Sequence, residues 1–382
     1  MVNNVLTPPE RLLLGPGPSN PHPAVRAAMA APLVGHLDPW FIGVMEETMD
    51  GLRRLYRTAN HHTVPISGTG TAGLETLVFN LLEPGDRAIV GVIGYFGQRL
   101  AELARRAGAV VETIEIPLGG IVEPEQVAAA LRRPAKLVAL VHAETSTGAH
   151  QPVEAIARIA REHDALLLLD CVTSLAGLPV EMDAWGVDAA GSCSQKCIGA
   201  PPGLGPITLG PRAIAAMQRR KTKPFTWYFD VELLFEYWGG EGQKGQKGQK
   251  GQARVFHHTA PVANLYGFRE ALRLIHEEGL EARWARHRAA HQRLVEGLDR
   301  LGLELFTPAS YRLPMLNVIR IPEHVEDAAA RSRLLEMGIE IGAGFGPLKG
   351  KAWRVGLMGV NAAPEPVDRL LGALEEVLSP TG

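Results

Sequence analysis

The sequence predicts an α/β protein, a mostly parallel sheet between helices, followed by a smaller α+β domain. Three observations carry that prediction. Between about residues 63 and 210, short apolar runs alternate with helical patterns. The runs are continuous rather than alternating, as strands buried on both faces of a parallel sheet read. After about residue 260 the pattern changes to two long amphipathic helices, shorter strands and a closing helix. Strand, helix, strand repeated in this way requires right-handed crossovers and a doubly wound topology.

The strand candidates begin with the short apolar stretch TVPI (63–66) and continue through RAIVGVI (87–93) and AVVETIEI (109–116). KLVALVHA (136–143) and ALLLLD (165–170) follow, and WGVDAAG (185–191) leads into one more. Helices are expected at 71–82, 96–107, 123–132 and 153–163, the second stopping at Gly108. In the C-terminal region the helices fall at 262–277, 280–300 and 364–378, with strands near 303–306, 315–321, 339–342 and 353–357. This divides the chain into an N-terminal segment 1–20 packing near the active site, a large domain 21–260 and a small domain 261–382.

Composition narrows the function. The 382 residues are 46% hydrophobic and 21% charged, which excludes wholesale disorder. A net charge of −2 argues against a general nucleic-acid binder. Only nine of the 39 basic residues are lysines, so a lysine with covalent duties has few competitors. Cys171, Cys193 and Cys197 can form neither a disulfide framework nor a four-thiolate zinc site, and they fit a reducing, cytoplasmic compartment. No apolar run approaches the roughly 18 residues of a membrane span, and the N-terminus does not read as a signal peptide. The segment EGQKGQKGQKGQ (241–252) cannot bury apolar area and is expected to be an exposed, mobile loop.

Three motifs carry chemistry. SGTGTAG (67–73) places Gly68, Gly70 and Gly73 at a helix start, where backbone N–H groups and the helix dipole favour a phosphate. The acidic residue that a dinucleotide fold needs about 20 residues on is missing from GVIGYF, so one phosphate is favoured over a pyrophosphate. LLLLDCVTS (166–174) puts Asp170 at the C-terminal end of a buried strand, the ligand side of an open sheet. GSCSQKCIGAPPGLG (191–205) sets Lys196 among small residues, where burial favours the neutral amine that a Schiff base requires. Phosphate turn, strand-end Asp and loop Lys are the set that pyridoxal phosphate needs: donors, an anion beside the pyridine nitrogen, and an aldimine lysine.

With these residues in place, the chain resembles the class V pyridoxal-phosphate aminotransferases of fold type I, specifically the alanine–glyoxylate and serine–glyoxylate (serine–pyruvate) branch. The likeness runs from about Leu12 to Leu378. It rests on LLLGPGPSNPHP (12–23), GHLDP (35–39), SGTGTAGLE (67–75), GYFGQR (94–99), HAETSTGAHQP (142–152), LLLDCVTSLAG (167–177), GSCSQKCIGAPPG (191–203), FHHTAPV (256–262) and WRVGLMG (353–359). It implies that Lys196 is the aldimine lysine and Asp170 the pyridine-nitrogen partner. It further implies that Gly70 and Thr71 bind the phosphate, assisted by Gln195, that Phe96 stacks on the cofactor ring, and that Thr145 sits beside it. Arg354 would clamp the substrate carboxylate. Thr259 would reach the phosphate of the other subunit in a homodimer with shared sites. Phe96 stands where relatives usually have Trp, and Phe256 where they have Tyr.

Small amino acids and 2-oxo acids are the implied substrates, with Ala or Ser as donor and glyoxylate or pyruvate as acceptor. Three rival chemistries are weaker. A cysteine desulfurase needs a nucleophilic Cys downstream of the lysine, and none follows Cys197. An aspartate-type enzyme wants a second cation, and an NAD-dependent oxidoreductase wants the missing acid. His61–His62 and His257–His258 are expected to point to opposite sides of extended segments, so no metal site is assigned.

Overall fold

The structure, a computed structural model, describes residues 6–239 and 254–379; the GQK segment 241–252 lies outside them. Seven strands form the central sheet, in the order His62–Ser67, Leu204–Leu209, Ala189–Gly191, Leu166–Asp170, Leu137–Val141, Arg87–Val92, Val110–Glu115. The strands from Ala189–Gly191 to Val110–Glu115 pair in parallel. Leu204–Leu209 runs antiparallel to both its neighbours. LVALV and LLLLD are buried at every residue because helices cover both faces of the sheet.

The helices that cover the sheet include Gly70–Leu81, Tyr95–Arg106, Pro124–Ala130 and Glu154–Glu162. A helix outside the sequence expectations, Pro39–Tyr56, starts where the Asp38 carboxylate accepts the Trp40 N–H at 2.8 Å. It buries Phe41, Met45 and Leu52 in the main core, and Tyr56 donates its hydroxyl to the Pro206 carbonyl at 2.9 Å.

Two departures from expectation have local causes. The strand Leu204–Leu209 carries Gly205 and Pro206, which mask it as a loop, yet all six residues are buried. No strand forms at 303–306; Leu305 makes only an isolated bridge to Ile319, and Leu303 fills the second core instead.

That second core gathers Leu14, Leu294, Leu298, Trp353 and Leu370. It backs a three-stranded antiparallel sheet of Leu316–Arg320, Ala352–Gly356 and Gly342–Ala343. The long helix Val262–Glu278 sends Leu265, Phe268 and Leu272 into the larger core, while Leu280–Arg300 crosses to the smaller one with Leu294 and Leu298. The short strand Leu12–Leu13 pairs with Ile339–Glu340. From there the chain passes on to Pro16 and Gly17, beside Lys196. Ser67, Asp170 and Gly191 end their strands on one edge of the sheet, the edge at which such sheets bind ligands.

Candidate active site

A cavity of about 160 Å³ opens at that edge, lined by Gly70, Thr71, Phe96, Thr145, Asp170, Gln195 and Lys196 together with Thr69, Arg99 and Cys193. A larger cavity of about 970 Å³ lies among His142, His150, Arg158 and Trp185, but no lysine lines it. The chemistry therefore belongs to the smaller one.

Asp170 is 2% exposed. Its Oδ1 accepts the Val172 N–H at 2.9 Å, and its Oδ2 lies 3.7 Å from Arg99 Nη2. Burial raises the carboxyl above its ordinary pKa; Arg99, the Val172 amide and Lys196 each pull it back in part. Lys196 sits in the turn after Ala189–Gly191, and its Nζ donates to the Pro16 carbonyl. Gly17 at φ 108° makes that approach possible, because a Cβ there would stand 2.6 Å from Lys196 Cδ. Burial pushes the lysine below its ordinary pKa; Cys193 opposes this, and the Arg354 charge adds to it. Ser19 holds the loop, donating its N–H to Gln195 O at 3.0 Å and its hydroxyl to Lys196 O at 2.9 Å.

At the helix-start end of the cavity, Gly70 opens its helix against Cys193, whose Cβ would meet a Cβ on Gly70 at 2.7 Å. Among the described residues no side chain caps this helix start, and the first N–H groups of an α-helix have no intrahelical acceptor and suit an anion. Arg99 Nη1 donates to Thr71 Oγ1 at 3.2 Å, and the guanidinium carbon lies 4.6 Å from the centre of the Phe96 ring. Phe96 is fixed from behind by buried Glu144, whose Oε2 accepts the N–H of Phe96 at 3.1 Å and of Gly97 at 3.3 Å. The other oxygen, Oε1, takes the Ser146 N–H at 2.9 Å and hydroxyl at 2.6 Å.

Arg354 and Thr259 do not line the cavity. Arg354 rises from the strand Ala352–Gly356, donates through Nε to Ala343 O at 2.7 Å, and stands 5.3 Å from the Phe345 ring. Thr259 is exposed, as is Phe256. The neighbouring His258 holds Ser67 Oγ at 2.6 Å through Nε2. The histidine expectation fails at this point. His257 and His258 turn toward one another with Nδ1 atoms 2.8 Å apart, because the segment is irregular and Trp227 stacks on His257 at 4.2 Å. Among the described residues no group of three or more His, Cys, Asp or Glu is placed to hold a metal ion.

These residues suit pyridoxal phosphate. Gln195 Oε1 and Arg99 Nε are buried without a partner among the described residues, so the lining offers polar atoms to a polar occupant. When bound, the cofactor supplies an electron sink for the substrate's α-carbon. Burial pushes the Cys193 thiol up to about 11 and the Cys197 thiol up to about 12, so neither is an activated nucleophile. Sequence reasoning missed Arg99 and Glu144. Arg99 lies one helical turn after Phe96, a spacing that places both on one face. Glu144 carried no such signal, since its role depends on a helix start 48 residues away.

The family model of class-V aminotransferases matches residues 28–354. Alanine–glyoxylate aminotransferase of Oryctolagus cuniculus is 41% identical over 376 residues, covering 98% of this chain and 94% of that protein. (S)-Ureidoglycine–glyoxylate transaminase of Bacillus subtilis is 38% identical over 393 residues, covering 98% and 92%. The crystal structure of alanine–glyoxylate aminotransferase from Nostoc sp. superposes with a TM-score of 0.94 at 49% identity, covering 99% of this chain and 98% of the other. The chain therefore belongs to the class-V aminotransferases and is a pyridoxal-phosphate-dependent transaminase of fold type I.

Proposed function

We propose that the enzyme moves an amino group from alanine or serine to glyoxylate or pyruvate, with Lys196 as the covalent lysine. The observation that carries this reading is the buried Lys196, held below its ordinary pKa in the cavity that Asp170 also lines. In its neutral form the Lys196 amine would hold the cofactor covalently and would serve as the base that takes the proton from the substrate Cα. Asp170 would keep the ring nitrogen charged, Gly70, Thr71 and Gln195 would hold the phosphate, and Phe96 and Thr145 would pack beside the ring, since all of them line the cavity. Arg354 provides a planar fork for the α-carboxylate. The names of the two 38–41% identical relatives support glyoxylate as acceptor. The Bacillus relative also favours a second reading, ureidoglycine as donor.

Two further parts of the reading concern the assembly and the compartment. Trp40, Phe225, Trp227 and Phe256 are 61%, 72%, 60% and 54% exposed, and exposed aromatic side chains of this kind suit contact with a second copy of the chain, with Thr259 reaching into the partner's site. Three free, buried thiols support a cytoplasmic location. No described helix is long and apolar enough to cross a membrane.

Single-turnover reactions with alanine, serine, aspartate and ureidoglycine, followed at the cofactor absorbance, test the donor. Alanine or serine should react fastest; a preference for aspartate would overturn the assignment. Borohydride reduction and peptide mapping test the lysine, and a pyridoxyl label on any residue other than Lys196 would sink that role.

A further inference from the structure

Glu278 stands at the junction of the two long helices, outside the cavity and outside every motif that the resemblance rests on. It is the last residue of the helix Val262–Glu278; Gly279, at φ 84°, turns the chain into Leu280–Arg300. One carboxylate takes two guanidinium groups. Oε2 accepts from Arg283 Nη1 at 2.7 Å, and Oε1 accepts from Arg286 Nε at 2.6 Å, with Arg286 Nη2 a further 3.1 Å from Oε2. The two arginines are three positions apart, so they share a helix face and a single anion can serve both.

Their other arms diverge. Arg283 Nη2 donates to the carbonyl of Cys197 at 2.6 Å, the residue next to Lys196. Arg286 Nη1 donates to the carbonyls of Gly359 at 2.9 Å and Ala362 at 2.7 Å, the turn that follows the Arg354 strand. The two segments also touch directly, since a Cβ on Gly359 would lie 3.5 Å from Gly199 Cα. One arm therefore holds the lysine loop, and the other holds the end of the small sheet that carries Arg354.

We propose that Glu278 is a positioning residue that couples the Lys196 loop to the Arg354 strand and so sets the spacing between them. The proposal rests on the roles given above to Lys196 and Arg354. Its physical basis is that the two arms are not independent. Arg283 is only 6% exposed, and a cation buried that far needs its counter-charge. Removing the Glu278 charge leaves two adjacent guanidinium groups repelling one another, so both arms loosen together. A substrate must reach the lysine end and the clamp end at once, so slack between them is felt in substrate binding before it is felt in cofactor binding.

The test uses the full chain with cofactor bound. In Glu278→Gln, hydrogen–deuterium exchange should accelerate in both 195–199 and 357–362, by about tenfold, the size of a coupling near 1.4 kcal/mol. Arg283→Lys should loosen chiefly the first segment and Arg286→Lys chiefly the second. The KM for both the amino acid and the 2-oxo acid should rise about tenfold in Glu278→Gln, while kcat and the cofactor dissociation constant change by less than about threefold. Faster exchange in one segment only, or unchanged KM values, would overturn the proposal. Should Glu278→Gln fail to fold, the arginine pair decides. A double Arg283→Lys, Arg286→Lys variant whose KM effect equals the product of the singles refutes coupling, and one no larger than either single supports it. A pyridoxyl label found away from Lys196, with coupled exchange intact, would defeat the functional reading and leave the coupling standing.

Discussion

Arg99 Nη2 lies 3.7 Å from Asp170 Oδ2, and the same guanidinium reaches Thr71 Oγ1 at 3.2 Å. One side chain thus spans the two ends of the cavity, from the carboxylate that would face the cofactor ring nitrogen to the hydroxyl that would face the phosphate. Because Asp170 is buried, Arg99 is the largest influence keeping its carboxyl ionised. A protonated ring nitrogen facing Asp170 would need that anion.

Arg99→Gln should therefore weaken cofactor binding, and most on the acid side. The Asp170 carboxyl already lies above its ordinary pKa of 3.8 because of burial. Without Arg99 it rises further and takes up its proton at a higher pH. The acid limb of cofactor affinity should shift upward, with a loss there of about tenfold or more, as for a charge-assisted contact worth 1.5–3 kcal/mol. Titration of apoenzyme with cofactor across a pH series checks this. Parallel curves for parent and variant would count against it.

How much of this was legible in the sequence depends on the distance over which each residue acts. Asp170 and Lys196 could be found because one ends a strand and the other follows one, and strand ends in a parallel sheet share an edge. Arg99 acts on a carboxylate 71 positions away, so periodicity along its own helix could place it on a face but not beside Asp170. The strand Leu204–Leu209 was hidden because Gly205 and Pro206 suit a loop in isolation, and only pairing with His62–Ser67 makes them a strand. The helix Pro39–Tyr56 did carry a start signal, since Asp38 caps it and Pro39 occupies its first turn. The Glu278 fork was out of reach, because its far ends meet backbone carbonyls, which no side-chain pattern reports.

Lys196→Met should stabilise the apoenzyme, by an amount that shrinks as pH rises. Burial holds the lysine below its ordinary pKa of 10.5, so the folded state binds fewer protons than the unfolded state. Below the depressed pKa the parent bears the full cost of a buried charge. That cost disappears as pH climbs from there toward 10.5. Calorimetry of both apoproteins over that range should show the Tm difference narrowing. A difference independent of pH would mean that Lys196 is not held in a depressed state.

Arg354→Lys should raise the KM for amino and 2-oxo acids by roughly 30-fold, equivalent to about 2 kcal/mol, because an ammonium cannot copy the bidentate fork. Cofactor affinity should hardly change, since Arg354 does not line the cavity. Phe345, 5.3 Å from the guanidinium, also loses its stacking partner. Steady-state kinetics with both substrates decide it, and unchanged KM values would remove Arg354 from the clamp.

The last prediction concerns the proposed subunit boundary. Thr259 is exposed and does not line the cavity of its own chain, so any hydroxyl it offers to a phosphate must be offered elsewhere. Phe256, 54% exposed, has no hydroxyl, so a phosphate reached by this segment should lack one donor that a Tyr would give. Phe256→Tyr should tighten cofactor binding, and Thr259→Val should loosen it, each by one to two powers of ten if the contact is worth about 1.5–3 kcal/mol. Dilution gives the sharper reading. If each site borrows Thr259 from a second copy, cofactor release accelerates at the concentration where the dimer separates, and sedimentation run alongside absorbance locates both transitions. Thr259→Val should abolish that acceleration, because its released phosphate contact is already missing. Cofactor retained equally well by a demonstrated monomer would mean that one chain completes its own site.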